Sequence, residues 1–297
     1  MEYKELILLA QSKGEEEKWE ECIYYYEQAF LDNDNVYIYD YLDYALAHLE
    51  NGDKEKSLAI IDEVIEENSD VYVGYHYKGL YYFNLDFKLD SVHYFEKAYE
   101  LGDREIECLF NLGLLYDDLK DYDKAEFYYN NVLEIDDNHF YANLNLGAIY
   151  QEKGMLDEAL EKELKAYMIN PNKHYSCYNI GVVYALKNEF DLALKYYNEE
   201  VTKDDFCVDS YYNMGIIYKE YKNYEESINN YLLAIKYDSS DYRYYYNLGC
   251  VYSLIKDYDK AFDAFSTSQI LNSNVKRYLL NDEEAKEFVL TDYYNKL

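Results

Sequence analysis

The chain has 297 residues, of which 49% are hydrophobic and 30% charged, a composition that predicts a folded rather than a disordered protein. Its formal net charge of −32 disfavours binding to nucleic acid and to anionic membranes, because like charges repel. The acidic excess is uneven: residues 1–139 carry 11 basic and 35 acidic side chains, whereas residues 140–297 carry 17 and 25.

The first two predicted elements are helical hairpins over residues 3–36 and 38–71. In the first, Ala10 lies opposite Cys22–Tyr26, a run with the pattern of a second helix. In the second, Ala45 takes the position that a glycine holds in every later hairpin. These two hairpins therefore begin a repeat that becomes clear further along the chain.

From residue 72 onward a glycine returns every 34 residues, as Gly79, Gly113, Gly147, Gly181, Gly215 and Gly249. Because the whole chain holds 11 glycines, six at one period indicate a repeated structural unit. A tyrosine follows each glycine by three positions, a small residue by twelve, and an aromatic ring by sixteen, with Glu163 as the one exception to the ring. The predicted hairpins continue over residues 72–105, 106–139, 140–173, 174–207, 208–241 and 242–275.

Each unit is predicted to contain two helices of about 12–14 residues. Leu109, Leu112 and Leu115 share one helical face, and the alternation typical of strands is absent. We expect the glycine and the small residue where the two helices cross closely, with tyrosines filling the space beside them. In turns such as Lys120–Asp123 and Lys256–Asp259, the aspartate just inside the second helix is expected to cap free backbone amides.

This pattern resembles the tetratricopeptide repeat (TPR), whose signature combines a leucine–glycine pair with tyrosine, alanine, phenylalanine and a closing proline. Leu112–Gly113, Leu146–Gly147 and Leu248–Gly249 match the pair, whereas the closing proline is present once, as Pro171. The resemblance covers nearly the whole chain. It implies an all-α, right-handed superhelical solenoid of about eight repeats.

Residues 276–297 carry no glycine and are predicted to form a C-terminal cap of short amphipathic helices. Asn281 and Thr291 are the expected helix caps. The apolar set comprises Leu279, Leu280, Phe288, Val289 and Leu297. Such a segment would give the terminal repeat the polar outer face that a solenoid needs.

In repeats of this type the first helices line the inner, concave surface, so residues two, three and six before each glycine, and one and four after it, are expected there. The position two before the glycine is an uninterrupted series of Asn111, Asn145, Asn179, Asn213 and Asn247. A primary amide offers both a donor and an acceptor, which matches the backbone of an extended peptide. The predicted peptide-binding set is completed by Phe110, Tyr141, Tyr175, Tyr178, Tyr212, Tyr246 and Arg243.

These features favour a protein-interaction adaptor or scaffold that binds an extended segment of another protein or peptide, basic or neutral in charge. One alternative is a sensor that wraps a small ligand or a signalling peptide and changes its superhelical pitch. A second alternative is a structural protein that assembles with itself. Neither nucleic acid nor a membrane is an expected partner.

No pattern in the sequence indicates catalysis. The five histidines form no HExxH motif, no Cys/His spacing suggests zinc, and each recurrent glycine is explained by helix crossing rather than by a phosphate loop. We therefore expect no enzymatic activity, no cofactor and no metal. The five cysteines lack CxxC spacing, and the chain shows neither a secretory signal nor an apolar stretch of membrane length, so the expected location is cytoplasmic.

Overall fold

The computed structural model describes residues 2–31, 33, 35–173, 176–203 and 207–297, and within these ranges the secondary structure is helical, without strands. The predicted all-α fold of paired helices is confirmed. The chain divides into two compact units, unit 1 with residues 1–137 and unit 2 with residues 138–297. Over the described ranges, none of the helices is both long and apolar enough to span a membrane.

The described residues of unit 1 form four helical hairpins, each made of two consecutive helices that pack against one another. Their bounds are α1 Tyr3–Glu15, α2 Trp19–Phe30, α3 Ile38–Glu50, α4 Lys54–Glu67, α5 Tyr72–Asn84, α6 Lys88–Glu100, α7 Ile106–Asp118 and α8 Tyr122–Ile135. We call the surface formed by the first helices α1, α3, α5 and α7 the first-helix face of unit 1.

In unit 2, the part of the chain that the structure describes forms four hairpins and then three short helices. The hairpin helices are α9 Phe140–Glu152, α10 Leu156–Ile169, α11 Ser176–Leu186, α12 Phe190–Lys203, α13 Val208–Glu220, α14 Tyr224–Tyr237, α15 Tyr242–Leu254 and α16 Tyr258–Leu271. The short helices are α17 Val275–Leu279, α18 Lys286–Val289 and α19 Asp292–Lys296.

The recurrent glycines lie where the two helices of a hairpin approach most closely. A Cβ atom at Gly113 would stand 2.5 Å from Cε1 of Tyr129, a ring that is fully buried. Ser227, twelve positions after Gly215, donates its hydroxyl to the carbonyl oxygen of that glycine at 2.7 Å. Since any side chain would clash at such distances, the close crossing inferred from the sequence is confirmed.

The turn inside each hairpin places one residue in the left-handed region of backbone space. Gly52 and Gly154 occupy it in two hairpins, with φ of 89° and 73°. In the others the residue is Glu17, Asp86, Lys120, Asn188, Lys222 or Lys256, with φ between 57° and 63°. The amide that follows closes the helix end, as when Asp121 N–H donates to the carbonyl of Tyr116 at 2.9 Å.

Side chains cap several second helices, but not from the position that the sequence suggested. Asp53, Asp121, Asn223 and Asp257 each accept a hydrogen bond from a backbone N–H in the first turn of the following helix. The capping residue therefore stands immediately before the helix rather than just inside it, as is usual for an N-cap.

The C-terminal helices α17–α19 fold against the last hairpin. Leu279 and Phe288 are fully buried, and the Phe288 ring lies 4.9 Å from the ring of Phe265, centre to centre. Leu280, expected in the apolar set, is instead 59% exposed.

Of the two caps expected in this segment, Asn281 is wrong, whereas Thr291 holds the N-cap position of α19 without a capping side-chain bond. Helix α18 follows Ala285 rather than Asn281. Thr291 does precede α19, but its hydroxyl donates back to the carbonyl of Phe288 at 2.6 Å instead of capping the helix that follows.

Candidate binding surfaces

Asn179 and Asn213 of the predicted series use their amide donors inside unit 2. Nδ2 of Asn179 donates to Oε1 of Glu163, and Nδ2 of Asn213 donates to the hydroxyl of Tyr197, both at 3.2 Å. Glu163 and Tyr197 pack on Gly147 and Gly181, the glycines of their own hairpins. Because each asparagine belongs to the hairpin that follows, each amide joins two successive hairpins. Asn111, in unit 1, is buried.

The remaining asparagines and the one predicted arginine also lie in unit 2. Asn247 donates to the hydroxyl of Tyr212 at 3.1 Å and to the carbonyl of Arg243 at 3.0 Å, and Asn145 is half-buried. The Arg243 guanidinium binds Asp241 through Nε at 2.8 Å and Nη2 at 2.5 Å. The basic group expected to meet a ligand is therefore already ion-paired within the chain.

The predicted groove rings pack on the core ring of their own hairpin. The distances between ring centres are 5.6 Å for Phe110–Tyr129, 5.9 Å for Tyr178–Tyr197, 6.0 Å for Tyr212–Tyr231 and 5.8 Å for Tyr246–Phe265. The first ring of each pair is half-buried, so part of it stays accessible. Tyr141 is 45% exposed, with Lys173 Nζ 5.4 Å from its ring centre, and Tyr175 lies outside the described residues.

The C-terminal segment of the chain covers the last part of the predicted site. The Tyr246 hydroxyl donates to Oδ2 of Asp282 at 2.5 Å. Lys219, at a predicted groove position, forms an ion pair with Glu284, with Nζ 2.6 Å from Oε2. A partner that contacts these two groove positions would have to replace the segment.

A pocket of about 650 Å³ lies on the first-helix face of unit 1, between α3, α5 and the start of α7. Its walls include Tyr39, Asp43, Leu46, His76, Tyr77 and Leu80. Counted from Ala45 and Gly79, these residues stand six, three or two positions before, or one position after. These offsets are the ones predicted to line the groove. A second pocket, of about 480 Å³, opens toward α1 and shares Asp43 and Leu46 with the first.

Among the described residues of the peptide-binding set proposed from the sequence, none lines either pocket. That set was drawn from the repeats that carry the asparagine series, whereas the pockets lie mainly on earlier hairpins. The signal that could have found them is the same phase counted from Ala45, where Asp43 takes the place of the asparagine.

His76 forms a buried ion pair at the edge of the first pocket. Its Nδ1 lies 2.7 Å from Oδ2 of Asp103, and its Nε2 lies 3.8 Å from Oε2 of Glu107. Burial lowers the pKa of His76, but the two carboxylates outweigh it and raise this pKa to about 9. Cys108 completes a group of ligand-type atoms within 4.8 Å of one another, although burial raises the pKa of its thiol well above the usual range.

Comparison with known families identifies the repeat. Models of the tetratricopeptide repeat match residues 106–139, 128–161, 174–199, 208–241 and 242–269. The chain is a tetratricopeptide repeat protein. The resemblance inferred from the glycine period is thereby confirmed, while no curated protein sequence matches this TPR chain.

Solved TPR structures share the fold at low sequence identity. The structure reported as a functional characterization of Pseudomonas aeruginosa pilF has a TM-score of 0.59 and 16% identity, over 75% of this chain and 98% of that one. YrrB, described as a TPR protein with an unusual peptide-binding site, has a TM-score of 0.54 and 24% identity, over 60% and 92%. The match to the APC/C hetero-tetramer Cut9–Hcn1 covers 96% of this chain and 54% of the matched chain, with a TM-score of 0.56 and 16% identity.

Proposed function

We propose that this TPR protein is a non-enzymatic adaptor that holds an extended segment of another protein along its first helices. The observation that carries the proposal is the pocket of about 650 Å³, built from equivalent positions of successive hairpins in unit 1. Equivalent positions recur at a regular spacing along stacked repeats, and an extended chain presents its side chains at a regular spacing too.

Two further points support an adaptor. TPR proteins mediate protein–protein interactions, and the similar structure of YrrB is described as having a peptide-binding site. In unit 2 we propose that the asparagine series and the half-buried rings beside it contact the same kind of segment. Asn179 and Asn213, whose donors are used internally, would then offer their carbonyl oxygens to backbone N–H groups of the partner.

Site-specific photocrosslinking in the native cell tests this function. We would replace Tyr39, which is 44% exposed in the pocket wall, by the photoreactive residue p-benzoylphenylalanine. Tyr24, which is 54% exposed on α2 and lines neither of the two first-helix pockets, is the matched control.

We expect position 39 to crosslink to one continuous segment of another protein, identified by mass spectrometry, and position 24 not to do so. Crosslinks from position 24 alone, or crosslinks from position 39 only to a second copy of this chain, would contradict the proposal. The second of these results would instead indicate self-assembly.

A further inference from the structure

Five carboxylates line the two pockets on the first-helix face of unit 1, and none of the five has a lysine or arginine partner among the described residues. The two pockets on this face are lined by Glu15, Asp43, Glu50, Glu105 and Glu107. Other acidic side chains of the same unit do pair with lysines, as in Lys78–Asp62 at 2.5 Å and Lys88–Asp118 at 2.7 Å. Neither of these lysines lines either of the two pockets.

The two cationic groups that do border the larger pocket are held by other partners. Arg104 donates to the carbonyl oxygens of Tyr99 and Asp103 at 2.7 and 2.6 Å, and its guanidinium stacks 3.8 Å from the centre of the Tyr99 ring. His76 is held by Asp103. Neither cation is therefore placed to neutralise Asp43.

Asp43 stands at the junction of the two pockets and lines both of them. Its Oδ1 accepts a hydrogen bond from the hydroxyl of Tyr77 at 2.6 Å. Burial raises the pKa of Asp43, the Tyr77 hydrogen bond opposes this, and the nearby charges of Asp40 and Glu107 raise the pKa further. A cation beside this carboxylate would relieve both the charge repulsion and the cost of desolvation.

The walls around Asp43 suit a long basic side chain. Tyr39 and Tyr72 stand on one side with their hydroxyls 3.4 Å apart, and Leu46 and Leu80 add apolar surface. The aliphatic stem of a lysine or arginine packs on such surface while its charged end reaches a carboxylate or the face of an aromatic ring.

We propose that this pocket receives a lysine or arginine side chain from an extended basic segment of a partner protein, with the charged end at Asp43 and Glu107. The proposal rests on the proposed adaptor function and adds the chemistry of the partner. Complementarity of charge supports it, since unit 1 carries 35 acidic against 11 basic side chains.

Selection from a random dodecapeptide library displayed on phage tests the proposal with the full-length protein. Selected peptides are synthesised, and their affinities are measured by fluorescence anisotropy for wild type, Asp43→Asn and Asp90→Asn. Asparagine keeps an acceptor for Tyr77 and removes only the charge. Asp90, an exposed carboxylate on α6 that lines neither pocket, is the control. Each peptide is also made with norleucine in place of its basic residue.

We expect the selected peptides to share a lysine or arginine at one position, and Asp43→Asn to weaken their binding by about tenfold. Asp90→Asn should leave binding unchanged, and the norleucine peptides should bind wild type and Asp43→Asn equally. Glu107→Gln, at a largely exposed side chain, should weaken binding less and provides a second variant if Asp43→Asn unfolds.

The possible failures are distinguishable. Peptides that bind without a shared basic residue, or with equal affinity for wild type and Asp43→Asn, would overturn the inference and leave the adaptor function standing. A library from which no peptide is selected would count against both.

Discussion

Glu163 occupies the position at which the other five glycine repeats carry an aromatic ring. Its side chain is fully buried, with Oε1 accepting from Nδ2 of Asn179 at 3.2 Å and from Nε2 of Gln151 at 3.4 Å. Oε2 has no hydrogen-bond partner in the described part of the chain. The Glu163 carboxyl accepts from Asn179 as the Tyr197 hydroxyl accepts from Asn213 one repeat later. Unlike the tyrosine, it places a readily ionised group in the core.

Glu163→Gln should make the protein more stable at alkaline pH than wild type. Burial raises the pKa of Glu163 from 4.5 to about 8, against the opposing hydrogen bonds from Asn179 and Gln151. Between these two pH values the folded chain binds more protons than the unfolded chain, so the free energy of unfolding falls as the pH rises. Because one pKa unit corresponds to about 1.4 kcal/mol, the difference above pH 8 should be of the order of a few kcal/mol.

Urea unfolding of both proteins at about pH 5, 7 and 9 measures this difference. Glutamine keeps the Oε1 acceptor and is close in shape to the protonated acid, so the two proteins should differ least at the lowest pH. His76 changes stability in the same direction, because its raised pKa means that its stabilising contribution is lost as the pH rises through about 9. His76 is present in both proteins, so its effect cancels in the difference between them. If the free energies of unfolding of the two proteins changed in parallel with pH, the prediction would be wrong.

The sequence period predicted where the two helices of a hairpin cross, because a ring sixteen residues after each glycine fills the space that a Cβ atom would occupy. The same period could not predict which way the asparagine side chains point. An amide at a half-buried position can face a groove or the neighbouring hairpin, and the hydroxyl that Asn213 meets, on Tyr197, lies sixteen residues earlier. The acidic pocket at Asp43 was missed because Ala45 interrupts the glycine series there.

At the scale of elements, the C-terminal helices are held by polar contacts as well as by apolar packing. The ion pair between Lys219 and Glu284 connects α13 to the residues between α17 and α18, and the Lys219 side chain is only 10% exposed. The Tyr246 hydroxyl meets Asp282 in the same stretch. Sequence patterning predicted a cap but not these contacts, because they join residues up to 65 positions apart.

Glu284→Ala should destabilise the folded protein, because it leaves the ammonium group of Lys219 without its partner. Breaking a fully buried pair costs about 3–5 kcal/mol. The Glu284 side chain is 33% exposed, so we expect a loss of about 1–2 kcal/mol in urea unfolding.

Glu283→Ala is the matched control for that variant. Glu283 pairs with Lys286 at 3.3 Å, but its side chain is 87% exposed, so its removal should cost less than about 0.5 kcal/mol. In the background of Lys219→Met the effect of Glu284→Ala should shrink, since the ammonium is gone. Equal losses for Glu283→Ala and Glu284→Ala would show that the buried pair does not hold the segment.

At the scale of the whole molecule, charge is distributed unequally between the two units. Unit 1 carries 35 acidic and 11 basic side chains, and unit 2 carries 25 and 17. Repulsion among like charges opposes a compact state, and salt screens this repulsion over about 10 Å at 0.1 M. The five pocket carboxylates, which have no lysine or arginine partner in the described part of the chain, add to this repulsion in unit 1.

Raising sodium chloride from about 10 mM to about 200 mM should therefore stabilise unit 1 more than unit 2. Amide hydrogen exchange followed by mass spectrometry measures the two units in one sample, because peptides from α1–α8 and from α9–α16 are resolved separately. Exchange should slow more in α1–α8, and choline chloride at matched ionic strength should have the same effect if screening is the cause. Equal slowing in both units would show that the excess charge of unit 1 does not limit its stability, and an effect confined to sodium would indicate bound cations instead of screening.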